Sequence, residues 1–183
     1  MKTIRFGAKG PTVSQFGIGA MSFAGIYGDA TQADSHAVLD ACLAAGVTHI
    51  DTSNVYGAGQ NKGARDKMHL ATKAGITGQP DRRFNNDHDY MADCLDASLA
   101  RMGVDHVDLF YAHRYDSSHS PEDLGGTLKA LLDSGKTRAV GLSEVAPATL
   151  RRVASECPIA AVQSEYSLST RAPELGLIQT CAE

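Results

Sequence analysis

The chain has 183 residues, a length that suits one domain of middling size, and a formal net charge of −4. Its composition is that of an ordinary soluble globular protein, with no basic field to hold nucleic acid or anionic lipid. No apolar stretch approaches the ~18 residues needed to span a bilayer, and Met1-Lys2-Thr3-Ile4-Arg5-Phe6 lacks the apolar core of a signal peptide.

The first element is a β-hairpin, with residues 3–6 and 13–16 on either side of the turn Gly7-Ala8-Lys9-Gly10. A small-residue strand, Gly17-Ile18-Gly19-Ala20-Met21, follows, where something can approach the backbone closely. Thr31 reads as a helix N-cap with Asp34 at N3. Val38, Ala41, Cys42 and Ala45 share one helical face, and Gly46 suits the C′ position. A strand over 47–51 ends at Asp51, and another ends at Lys73 in His69-Leu70-Ala71-Thr72-Lys73.

A helix then carries Met91, Cys94, Leu95, Leu99 and Met102 on one face and stops at Gly103. The next strand, 107–113, ends at His113. Ser120 and Pro121 form an N-cap and N1 pair, Leu124, Leu128, Leu131 and Leu132 make that helix's stripe, and Gly135 closes it. Residues 139–143 are the fifth strand, 147–157 a helix, 159–165 the sixth strand, and 173–182 a further helix. Cys42, Cys94, Cys157 and Cys181 lie far apart, each in or at the end of a helix. They read as reduced thiols of a cytoplasmic protein, neither a disulfide frame nor a zinc site.

Strand–helix alternation with short links predicts a parallel sheet. An open doubly wound sheet and a closed barrel share this pattern. The dinucleotide fingerprint G-x-G-x-x-G of the open sheet is absent, because Gly17-Ile18-Gly19 and Gly57-Ala58-Gly59 both lack the third glycine. The expected fold is therefore α/β: a (β/α)8 TIM barrel preceded by an N-terminal β-hairpin, with about six of its eight strands in residues 1–183. A complete barrel takes ~250 residues, so two βα units are expected beyond Glu183. Residues 54–68, the link between the strands ending at Asp51 and Lys73, show no apolar helical stripe. A crossover helix is expected to be missing near residues 60–61 of this single barrel domain.

Four residues fall where such a barrel concentrates its chemistry. Catalytic groups come from the C-terminal ends of several strands. Asp51, Lys73 and His113 each end a strand, and Tyr56 sits just past the first. Together they would make a proton-donor site. Each also has a plainer use. Asp51 could cap the following turn, Tyr56 could be an exposed loop aromatic, and His113 a satisfied core or surface residue. Lys73 is the hardest to explain that way, since a lysine inside an apolar strand end is costly to bury unless paired. The other histidines show no paired ligand spacing, so no metal is expected. Arg82-Arg83 could contact a phosphate but reads first as a solvated loop, and Leu124–Leu132 reads as core.

Six segments in this order resemble the aldo-keto reductases. They are Gly17-Ile18-Gly19-Ala20-Met21, His49-Ile50-Asp51-Thr52-Ser53-Asn54-Val55-Tyr56-Gly57, Ala71-Thr72-Lys73, Asp108-Leu109-Phe110-Tyr111-Ala112-His113-Arg114, Gly141-Leu142-Ser143-Glu144 and Ala161-Val162-Gln163-Ser164-Glu165-Tyr166. The last two are most similar to bacterial and plant reductases related to potassium-channel β subunits. The resemblance implies a (β/α)8 barrel that reduces small aldehydes or ketones with NADPH. It implies that Tyr56 is the general acid, that Lys73 lowers the phenol pKa, that Asp51 holds Lys73, and that His113 orients the carbonyl. It implies a cofactor site drawing on Met21, Asp51, Ser143, Glu144 and Gln163, with Ser143 and Gln163 on the carboxamide. Glu144 stands where many relatives have asparagine. The expected partner is a small-molecule carbonyl substrate, with no nucleic acid and no membrane; the oligomeric state is left open. Two alternatives stand beside the enzyme: a non-catalytic nucleotide-binding regulatory subunit, and an inactive truncated remnant.

Overall fold

The computed structural model describes residues 1–6, 10–54, 68–78, 80 and 82–183. Strands β1 (Thr3–Arg5) and β2 (Thr12–Ser14) pair antiparallel, with Thr3 opposite Ser14. This hairpin is stitched to the segment entering the next strands: Ser14 N–H donates to Thr48 Oγ1 and Thr48 N–H to Ser14 Oγ, both at 2.9 Å. Phe6 packs its ring on His49 at 5.4 Å between centroids. The hairpin therefore covers the N-terminal end of the sheet.

The main sheet holds six strands: β3 (Ile18–Gly19), β4 (His49–Asp51), β5 (His69–Ala74), β6 (Leu109–Ala112), β7 (Val140–Ser143) and β8 (Ile159–Gln163). They lie side by side in chain order and every pairing is parallel. Helices α1 (Gln32–Ala44), α2 (His88–Met102), α3 (Pro121–Asp133), α4 (Pro147–Glu156) and α5 (Leu177–Ala182) follow β3, β5, β6, β7 and β8 in turn, and most of the link from β4 to β5 lies outside the described residues. The parallel order requires such crossovers, because a parallel pair cannot be joined by a tight turn.

Strand alternation sorts the side chains into two layers. Ile50, Leu70, Ala74, Phe110, Ala112, Val140 and Leu142 face outward into one core with Met91, Leu95 and Leu99 of α2, Leu124, Leu128 and Leu131 of α3, and Leu150 and Val153 of α4. Ala71, Leu109 and Tyr111 face the concave side with Ala139 and Ala161. That inner layer is tight. A Cβ on Gly141 would lie 2.6 Å from the Tyr111 ring and 2.7 Å from the Ala161 carbonyl, so the tyrosine requires glycine beside it.

Helix starts follow local chemistry. Thr31 with Asp34, and Ser120 with Asp123, each form a reciprocal capping box, and Pro121 and Pro147 open α3 and α4. Besides shifts of one or two residues at strand ends, three expectations are corrected. The strand over 17–21 shortens to Ile18–Gly19, because Ala20–Ala24 turn into a 3-10 helix closed by left-handed Gly25. The helix over 173–182 is two pieces, a 3-10 turn at Ala172–Leu175 and α5, separated by Gly176 at φ 130°. On α1 the buried stripe is displaced: Val38 is 45% exposed, while Leu39 and Leu43 pack on the core and Ser35 and Cys42 are half-buried. Leucines remove more apolar area from water than the alanines of the other face, so they set the helix's rotation. The gap expected near residues 60–61 lies outside the described residues. Cys42, Cys94, Cys157 and Cys181 are all free thiols. Among the described residues no helix is long and apolar enough to cross a membrane.

Candidate active site at the C-terminal strand ends

Asp51 closes β4, Lys73 is the penultimate residue of β5, His113 directly follows β6, Ser143 closes β7 and Gln163 closes β8. Parallel strands in continuous register bring these ends to one rim of the sheet. Lys73 shares the inward face with Ala71, and its Nζ lies 5.7 Å from the centre of the Tyr111 ring, within cation–π range. It is 1% exposed, among the largest fully buried side chains of the described residues.

A buried ammonium needs compensation. Lys73 Nζ donates to both carboxylate oxygens of Asp51 and to the Thr52 carbonyl at 3.2 Å. Burial pushes the Lys73 pKa down and the Asp51 carboxylate opposes that, leaving it below the ordinary lysine value. On its other side Asp51 accepts from Gln163 Nε2 at 3.2 Å. The carboxylate thus joins a strand near one edge of the sheet to the strand at the opposite edge.

His113 is 5% exposed, and its Nδ1 lies 3.3 Å from Ser53 Oγ. Its pKa is pushed down to about 3, first by burial and then by the cations Lys73, Arg114 and Arg82. The imidazole is therefore neutral at physiological pH, able to donate one hydrogen bond and accept another but not to act as a cationic acid. Tyr111, beneath Lys73, has its pKa raised by burial and then by Asp51, so it is no acid at neutral pH.

Of the cofactor candidates, Ser143 is buried and accepts from Arg114 Nη1 at 3.1 Å. Glu144 adopts φ 52°, left-handed for a non-glycine residue. Its carboxylate accepts from the Glu165 N–H at 2.6 Å, and its own N–H donates to the Gln163 carbonyl at 2.9 Å. One Glu144 oxygen is thus engaged in joining the ends of β7 and β8. Met21 sits half-buried in the 3-10 turn after β3, two residues beyond the Gly19 that pairs with Asp51. Tyr56 lies outside the described residues. Ser53 and Arg114 join the site although strand-end position alone singles out neither; the signal for both is that they flank candidate residues.

Beyond this rim an open cleft of about 570 Å3 is lined by Arg114, Glu144, Pro147, Ser164, Glu165 and Pro173 among others. Ser164 Oγ is buried and has no hydrogen-bond partner among the described residues.

A curled parallel sheet with interleaved helices, and an Asp–Lys pair, a neutral His and a Gln at its C-terminal strand ends, defines a barrel-type α/β protein with a polar site in the usual place. The chain belongs to the aldo/keto reductase family: the profile described as "Aldo/keto reductase family" matches residues 15–183. It is 37% identical over 195 aligned residues to "Probable aldo-keto reductase 1" of Glycine max, covering 100% of this chain and 56% of that protein. It is also 37% identical over 188 residues to "Aldo-keto reductase yakc [NADP(+)]" of Schizosaccharomyces pombe, covering 94% and 55%. The fold superposes with a TM-score of 0.86 on the aldo-keto reductase AKR11C1 from Bacillus halodurans in its holo form, at 25% identity, over 99% of this chain and 63% of that one. A second superposition, on the glycerol dehydrogenase AKR11B4 from Gluconobacter oxydans, also gives 0.86, at 24% identity over 98% and 60%. The chain spans about half the length of the curated relatives it matches. These superpositions make the six-stranded sheet part of a TIM-barrel fold.

Proposed function

We propose that the protein is an NADPH-dependent reductase of small aldehydes or ketones, with Tyr56 as general acid. The observation that carries this is the buried Lys73 ammonium, paired with Asp51 and placed beside neutral His113 at the C-terminal strand ends. A free phenol near pKa 10 gives up its proton poorly at neutral pH. A neighbouring ammonium stabilises the phenolate and lowers that value. Lys73 is the cation for that task, and Asp51 fixes its position. His113, kept neutral, orients the carbonyl oxygen by donating a hydrogen bond without competing as an acid. A purely structural role for the pair is costly, since apolar side chains packed in place of both Lys73 and Asp51 are often as stable or more so.

The donor set suits a nicotinamide. Among the described residues the Ser143 hydroxyl keeps its proton undonated, Gln163 Oε1 accepts nothing, and buried Ser164 Oγ lacks a partner. A carboxamide offers one acceptor and two donors to such a set. Ser143 and Gln163 would hold it, with Asp51, Glu144 and Met21 on the same rim; the cofactor supplies the hydride. The choice of NADPH follows the name of the fission-yeast relative, which carries NADP(+). No feature of the described residues favours a regulatory subunit over this reading. The test is Tyr56→Phe in the full-length protein. Reduction of a reactive aldehyde should fall by roughly 10²-fold or more, while NADPH affinity measured by fluorescence stays within about twofold. Turnover near wild type removes Tyr56 from the role of acid.

A further inference from the structure

We infer that Arg114 is a positioning residue that makes Ser143 a hydrogen-bond donor toward the bound cofactor. This rests on the reading above. Arg114 Nη1 donates both to the His113 carbonyl at 2.7 Å and to Ser143 Oγ at 3.1 Å, spanning the gap between the ends of β6 and β7. A guanidinium has donors only. Ser143 must therefore accept from it, and the serine's single proton must point elsewhere. Among the described residues no acceptor takes that proton. Without Arg114 the hydroxyl proton could turn toward that side; with it, one Oγ lone pair is taken by the guanidinium and the proton is directed to the ligand side, free to be donated. The ligand group this selects is an acceptor oxygen, such as a carboxamide carbonyl.

The arginine is itself held in place. Buried Asn86 donates from Nδ2 to the Arg114 carbonyl at 3.1 Å and accepts the Asp116 N–H at 2.7 Å, gripping the turn from both sides. Arg114 pairs with no carboxylate among the described residues, so its orientation comes from these neutral contacts. It also lines the cleft beyond the rim.

The test is a double-mutant cycle on cofactor binding in the full-length protein, using Arg114→Met, Ser143→Ala and the pair, with NADPH affinity read by fluorescence and folding by thermal melts. If Arg114 acts through Ser143, each single change weakens binding by on the order of tenfold. The double change is then no worse than Ser143→Ala alone. Arg114→Lys, which keeps a donor, should recover part of the loss. Equal Arg114→Met losses with and without Ser143 overturn the positioning role while leaving the reductase reading intact. A wild-type protein that binds no nicotinamide nucleotide overturns the reductase reading, and this inference with it.

Discussion

Gln163 Nε2 donates to Asp51 Oδ2 across 3.2 Å, although β8 and β4 are four strand positions apart in the sheet. At the usual strand spacing a flat sheet would hold them about 19 Å apart. The contact is possible only because the sheet curls, and it places the carboxylate between the amide and the Lys73 ammonium. Asp51 thus has two inward partners that arrive from opposite sides of the concave face.

Removing the cation should be costly. Lys73→Met leaves the Asp51 carboxylate, whose side chain is only 17% exposed, without its counter-ion. Destabilisation of about 3 kcal/mol is expected, the lower end for a broken buried pair because Asp51 keeps some water and Gln163. Adding Asp51→Leu should restore much of it. Urea denaturation of the single and double variants checks this; a double variant no more stable than the single contradicts it.

Stability should depend on pH through His113. Its folded pKa of about 3 lies below the ordinary 6.5. Between those values the unfolded chain binds a proton that the folded chain does not, so stability falls as pH drops through the window. Above it the imidazole is neutral in both states and contributes no slope. The fall is at most about 1.4 kcal/mol per pH unit. His49, lowered by burial, acts in the same direction. Denaturation near pH 7 and near pH 5 should show a larger loss for wild type than for His113→Gln. Equal losses assign the pH dependence to other groups.

Gly141→Ala should strain the inner layer. The new methyl meets the Tyr111 ring and the Ala161 carbonyl, and the carbonyl cannot rotate away. The cost should be about 1–3 kcal/mol, as for other overpacked cores. Tyr111→Leu in the same chain removes the ring and should relieve part of it. A melt of Gly141→Ala matching wild type shows that the layer can yield.

Glu144 carries backbone strain offset by one hydrogen bond. Glu144→Gln keeps an oxygen for the Glu165 N–H and should change stability by less than about 0.5 kcal/mol. Glu144→Ala keeps the strained φ and loses the acceptor, so a loss of about 1 kcal/mol is expected. Denaturant midpoints for the two variants should separate in that order. Equal losses in both variants show that charge, not the hydrogen bond, is what matters at this position.

The strand ends read at Asp51, Lys73 and His113 fall within one residue of the ends of β4, β5 and β6, because strand runs and their punctuation are local. Capping at Thr31 and Ser120 is legible for the same reason, since side chain and backbone partner lie three residues apart. Identifying Lys73 as the residue that needs a partner requires only the cost of burying an ammonium. What tertiary structure decided are relationships between distant segments: the Gln163–Asp51 contact across the concave face, the Arg114–Ser143 link between neighbouring strand ends, and Ser53 beside His113. These depend on how far the sheet curls and how its strands align, which are collective results of packing. The rotation of α1 belongs with them. The sequence pattern points to Val38, Ala41, Cys42 and Ala45, and contact of Leu39 and Leu43 with the core turns the helix to a neighbouring face instead. Local pattern names the groups that must be satisfied; only the assembled sheet determines which distant atoms satisfy them.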